Sequence, residues 1–147
     1  MDAHYDVLPS CRPYAKNAGF VEFSMDWYFV LNGKKIWIPK GYWMNGASIP
    51  RPFWPIIGSP FEPDLWAGAG AHDYLYLTHI RPREESDEVL FQLCRQSKVG
   101  LWRARTIWRA VRTFAGFAWN NNQRDLEELG DLRVMIAARP DRDKFEV

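Results

Sequence analysis

The side chains best suited to chemistry sit together in Ala71-His72-Asp73-Tyr74-Leu75-Tyr76, with Asp87 a short distance further along the chain. On a helix, residues four apart stack and adjacent ones differ by roughly 100°. His72 and Tyr76 are then neighbours, and Asp73 shares a broad side with them. Arg81-Pro82 breaks that helix and Asp87 lies near the start of the next, so an antiparallel pair brings it to the same place. A histidine, two carboxylates and a phenol would meet there.

An imidazole oriented by a carboxylate can deprotonate water at neutral pH, and a second carboxylate can hold a hard cation that polarises an ester or amide carbonyl. In this hydrolytic reading His72 is the base, Asp87 the orienting carboxylate, Tyr76 a supporting hydrogen bond and Asp73 a metal ligand. The ion would be calcium or magnesium, with further oxygens from Asn45-Gly46-Ala47-Ser48 and Asn45 as the second candidate ligand. The substrate would be a small molecule, a lipid or a peptide. The same residues equally suit a polar network that ties two helices without turnover.

Ser48 is a poor nucleophile candidate, because Gly46-Ala47-Ser48-Ile49-Pro50 lacks the G-x-S-x-G elbow. Asn45 and Ser48 are better read as shaping their own turn. His4 and His79 read as surface residues. Arg103, Arg105, Arg109 and Arg112 read as a solvated helix face.

The positioning elements follow from the pattern. Trp27 to Leu31 and Lys34 to Ile38 are strand-like and flank Asn32-Gly33, a type I′ hairpin signal, and Gly19 to Phe23 is a weaker strand. Lys40 to Pro63 is a long aromatic loop punctuated by prolines and glycines. Asp64 is placed to cap a helix ending near Leu77, whose Gly68, Ala69, Gly70 and Ala71 invite close packing. A second helix spans about Arg83 to Lys98 and a third Leu101 to Trp119. Short helices are expected at Arg124 to Leu129 and Asp131 to Ala138. The class is therefore α+β, a small antiparallel hairpin sheet with two or three helices and the aromatic loop. Residues 1–18 form an arm, 19–119 one globular domain and 120–147 a charged peripheral segment.

The 147 residues, 47% hydrophobic, suffice for one core. A formal charge of +1 gives no general pull on nucleic acid, and nucleic-acid binding is not expected. No apolar run reaches a membrane span, and the first residues lack a signal peptide's pattern. Cys11 and Cys94 read as free thiols in a reducing compartment. Eight tryptophans and 16% aromatic content exceed what such a core requires, which leaves aromatic surface for a partner.

Taken in order, Asn45-Gly46-Ala47-Ser48-Ile49-Pro50, Ala71-His72-Asp73-Tyr74-Leu75-Tyr76 and Ser86-Asp87-Glu88-Val89-Leu90-Phe91 resemble domain-of-unknown-function family 1353, a group of small phage and prophage proteins. The likeness covers roughly Gly19 to Trp119. It implies an accessory protein in the host cytoplasm or associated with the virion. The family's first motif usually begins with aspartate, so Asn45 here keeps an oxygen and loses the charge. The active helix of secreted phospholipase A2 is more distantly similar. Its histidine base and calcium-binding aspartate correspond to His72 and Asp73, and its tyrosine to Tyr76; the disulfides and glycine-rich calcium loop have no counterpart. Two functions follow from these readings: metal-assisted hydrolysis at His72, Asp73 and Asp87, or non-enzymatic binding of a host or virion protein through exposed aromatics.

Overall fold

The computed structural model describes residues 1–15, 20–44, 55, 62–120 and 122–147, with side chains from 126 onward in the last stretch. Among the described residues, six short strands form two three-stranded antiparallel sheets. One contains β1 (Ala3–His4), β4 (Trp27–Leu31) and β5 (Lys34–Ile38), with β4 in the centre; the other contains β2 (Cys11–Pro13), β3 (Val21–Phe23) and β6 (Trp43–Met44), with β3 in the centre. The expected hairpin is present in the register Trp27↔Ile38 to Leu31↔Lys34. Asn32 and Gly33 both take positive φ, 50° and 81°, as a type I′ turn requires. Phe29, Ile36 and Ile38 face the core, while Tyr28 and Trp37 pair on the opposite face with ring centroids 4.7 Å apart.

Among the described residues from 62 onward, five α-helices follow: α1 (Trp66–Thr78), α2 (Arg83–Gln96), α3 (Leu101–Phe114), α4 (Gly116–Asn120) and α5 (Asn122–Ala137). Close approach around α1 is real. A Cβ on Gly68 would lie 2.7 Å from Cys94 Sγ and 3.1 Å from the Leu90 carbonyl oxygen, and one on Gly70 would lie 2.5 Å from the Phe23 ring. These two glycines let α1 lie against α2 on one side and β3 on the other.

Three sequence expectations change. The 1–18 arm supplies β1 and β2, because α2 provides partners for its backbone. Gln92 accepts from Ala3 N–H at 2.7 Å and donates to the Met1 carbonyl. One turn on, Gln96 accepts from Tyr5 N–H at 2.8 Å and donates to the Tyr5 carbonyl. A helical step of four residues rises about 6 Å and a strand step of two about 6.8 Å, so the two amides match alternate strand residues.

Asp64 does not cap α1. It lies within a 3₁₀ turn, Pro63–Leu65, and its carboxylate receives Arg103 Nη1 at 2.9 Å. The charged tail is not peripheral either. Leu132 and Ile136 of the single helix α5 lie in the core, with Leu129 packed against it, and Phe145 joins them. Spacing of three and four residues explains this, since it gathers the apolar side chains of a polar segment into one stripe.

Beyond α5, Asp26 holds Arg139 through two hydrogen bonds, 2.7 and 2.5 Å, and Lys144 at 3.4 Å. Lys34 and Arg81 hold Glu146, and Tyr74 Oη donates to the Glu146 carbonyl at 2.5 Å. Cys11 and Cys94 are free thiols, both pushed up to about 12 by burial. Among the described residues, no helix is long and apolar enough to cross a membrane.

Candidate functional site

Helix α1 ends where His79 adopts φ 53° and its N–H bonds the Leu75 carbonyl, and Pro82 then opens α2. This tight reversal sets the two helices antiparallel. It brings His72 and Tyr76, one turn apart on α1, against Asp87 on the second turn of α2. His72 Nε2 lies 2.7 Å from Asp87 Oδ1, and Tyr76 Oη donates to the same oxygen at 2.6 Å. The imidazole and phenol rings are 4.1 Å apart.

Asp87 Oδ2 receives Arg112 Nη1 from α3 at 2.8 Å, and Arg83 Nε stands 3.9 Å away. Arg83 also donates to Tyr76 Oη at 3.1 Å and to the Val111 and Arg112 carbonyls at the C-terminal end of α3. A cation there complements the helix dipole and adds a second donor to the Val111 carbonyl, which also accepts the Ala115 N–H at 3.0 Å. Trp119 closes the cluster, edge-on to Tyr76 at 5.0 Å and stacked on His79 at 3.8 Å.

Asp87 and His72 are 0% and 1% exposed. Burial raises the Asp87 pKa, but the hydrogen bond and charge of His72, together with the hydrogen bonds of Tyr76 and Arg112, outweigh it. The net result is a carboxyl below its ordinary value. Tyr76 moves the other way: burial first, then its bond to Asp87, holds its proton well above the usual phenol range. An ionised carboxylate can only accept, so in the neutral ring Nε2 carries the proton and Nδ1 keeps a lone pair. Among the described residues, Nδ1 has no hydrogen-bond partner.

Asp73 is placed elsewhere. The 100° step from His72 turns its carboxylate toward Tyr42, whose Oη donates to Asp73 Oδ2 at 2.5 Å. Burial first, and then the Asp73 charge, hold the Tyr42 phenol far above its ordinary value. The structure therefore brings His72, Tyr76 and Asp87 together and leaves Asp73 outside that cluster. Among the described residues, no group of three or more His, Cys, Asp or Glu side chains is arranged to hold a metal ion. Asn45 and Ser48 lie outside the described residues. His79 is exposed as expected, while His4 has unexpected acidic neighbours, Asp2 at 3.2 Å and Asp6 at 3.9 Å.

Sequence reading missed Arg83, Arg112 and Tyr42. Arg112 reads from the sequence as part of a solvated face and instead pairs with Asp87. A usable signal was the charge itself, because a carboxylate buried between two helices needs hydrogen-bond donors and a counter-charge. Nothing comparable marked Tyr42.

A family model described as "Protein of unknown function (DUF1353)" matches residues 23–111, and the chain belongs to that family. It is 35% identical over 98 residues to the uncharacterized protein y4jT of Sinorhizobium fredii (strain NBRC 101917 / NGR234), covering 67% of this chain and 29% of that protein. It is 31% identical over 87 residues to the uncharacterized protein y4iH of the same strain, covering 59% and 36%. The chain thus spans about a third of the length of the curated relatives it matches. No solved structure matches it.

Proposed function

We propose that this member of the DUF1353 family is a phage- or prophage-encoded accessory protein that hydrolyses an acyl ester or amide, with His72 as the general base. The observation that supports the reading is the buried His72–Asp87 pair: Nε2 is fixed on the carboxylate and Nδ1 is left as an acceptor. Nδ1 takes a proton from water as the oxygen attacks the substrate carbonyl, and the imidazolium then gives that proton to the departing alcohol or amine as the C–O or C–N bond breaks. Asp87 stabilises the imidazolium that results, and Tyr76 and Arg112 hold Asp87 in place. At 1% exposure the ring is in a closed state, so turnover requires the packing around α1 to open.

Asp73 is proposed as a ligand for calcium or magnesium, to which a carboxylate is chemically suited, with Asn45 as a second oxygen donor. The bound ion would polarise the carbonyl. Calorimetric titration of chelator-treated protein with calcium, magnesium and zinc, beside Asp73→Asn, tests that part. Binding lost in the variant supports it, and no binding in either protein removes the metal from the mechanism.

The specific rival is a structural tie. Both oxygens of Asp87 are occupied by bonds that join α1, α2 and α3, which is what a buried network without turnover would also show. A folded His72→Gln variant that keeps full hydrolysis would favour it.

A further inference from the structure

The outer side of α3 and α4 carries the largest exposed aromatic side chains among the described residues. Trp102 and Phe117 are each 78% exposed, with Leu101 at 38%. Trp102, Arg105 and Arg109 follow one another at spacings of three and four residues and form one outward stripe. Arg105 lies 5.8 Å from the Trp102 ring, and both arginines are exposed. Their neighbours on the same helix are neutralised internally: Arg103 by Glu62 and Asp64, Arg112 by Asp87. Among the described residues, Arg105 and Arg109 make no ion pair. Glu88 lies with them along a groove of about 220 Å³ that Phe91 and Trp108 complete.

We infer that this surface docks on an anionic lipid bilayer, with Trp102 and Phe117 entering the headgroup region and Arg105 and Arg109 meeting lipid phosphates. Charge complementarity points to an anionic occupant, and the ratio of apolar to charged side chains points to lipid. Nucleic-acid affinity grows with the number of phosphates neutralised, and two free arginines supply few. Interfacial binding instead combines buried apolar area with electrostatic attraction, and aromatic side chains suit the headgroup level. The inference stands apart from the reading of His72, and neither result below bears on hydrolysis.

The test is co-sedimentation of the full chain with vesicles of equal parts phosphatidylglycerol and phosphatidylcholine, and with phosphatidylcholine alone, at low and high salt. Wild-type protein is expected to pellet with the mixed vesicles at low salt and to be released by high salt. Trp102→Ala/Phe117→Ala and Arg105→Gln/Arg109→Gln should each weaken partitioning about tenfold or more, the arginine pair also flattening the salt dependence. All four side chains are exposed, and circular dichroism would check that the variants remain folded. Equal binding to neutral vesicles, or double variants that bind like wild type, would overturn the inference. So would tighter binding of single-stranded RNA or of a polyglutamate peptide than of the mixed vesicles.

Discussion

Arg112 of α3 donates to Asp87 of α2 at 2.8 Å, on the carboxylate oxygen opposite the one held by His72 and Tyr76 of α1. One buried charge thus joins three helices. Removing it strands an arginine, a histidine and a phenol together. Asp87→Ala is expected to destabilise the fold by about 3–5 kcal/mol, as removal of one partner of a buried ion pair does. Tyr76→Phe removes two hydrogen bonds, one to Asp87 and one from Arg83, and should cost about 1–3 kcal/mol. Urea unfolding of both variants checks the order; equal, small losses would mean that Asp87 is not the junction.

Acid should unfold the protein in a way set by particular carboxylates. Hydrogen bonds from Arg139, set against partial burial and aided by the Lys40 N–H, lower Asp26 to about 2, and Asp87 is also below its ordinary value. A group depressed on folding contributes stability that is fully present above its unfolded value, about 4 for aspartate. That contribution is lost as pH falls through the folded value. The Asp26 share should therefore fade between about pH 4 and about pH 2. In Asp26→Asn, denaturant midpoints measured across that interval should fall less steeply than in wild type; identical slopes would contradict the assignment.

Gly68→Ala weighs two opposed effects. Alanine gains about 1 kcal/mol in helix propensity, but its Cβ would meet the Leu90 carbonyl oxygen at 3.1 Å and Cys94 Sγ at 2.7 Å. Overpacking of this kind costs about 1–3 kcal/mol. A net loss in thermal stability is expected, and a gain would mean that α1 and α2 have room to separate.

Gln92→Ala and Gln96→Ala should release β1 without unfolding the rest. Each removes two hydrogen bonds to the strand backbone or its flank, and hydrogen exchange at Ala3 and Tyr5 should accelerate while α1 stays protected. Unchanged exchange at those two amides would show that pairing with β4 alone holds the strand.

Much of this arrangement was legible in the order of residues. Asn32-Gly33 between two aromatic strands fixed the hairpin, and the helical step from His72 to Tyr76 with the Arg81-Pro82 break placed Asp87 beside them. The rest depended on contacts distant in sequence. Gln92 and Gln96 resemble ordinary surface residues until a strand edge lies against them. Leu132 and Ile136 lie in a charged helix whose apolar stripe is narrow. Asp73 belonged to the sequence-level cluster because it adjoins His72, yet the helical step sends it to Tyr42. Arg112, read as a solvated cation, is the counter-charge that Asp87 requires.

In the proposed reaction His72 does chemistry at Nδ1 and is more than part of a tie between helices. The most direct measurement is hydrolysis of a panel of acyl esters and amides by the full chain, with and without calcium, in wild type and in a His72→Gln variant shown to be folded. Turnover is expected in the wild type and should fall by about 10²–10⁴-fold in the variant, the range for a positioned acid–base group. Turnover that survives the substitution, or a wild-type protein inert toward every ester and amide in the panel, would contradict it.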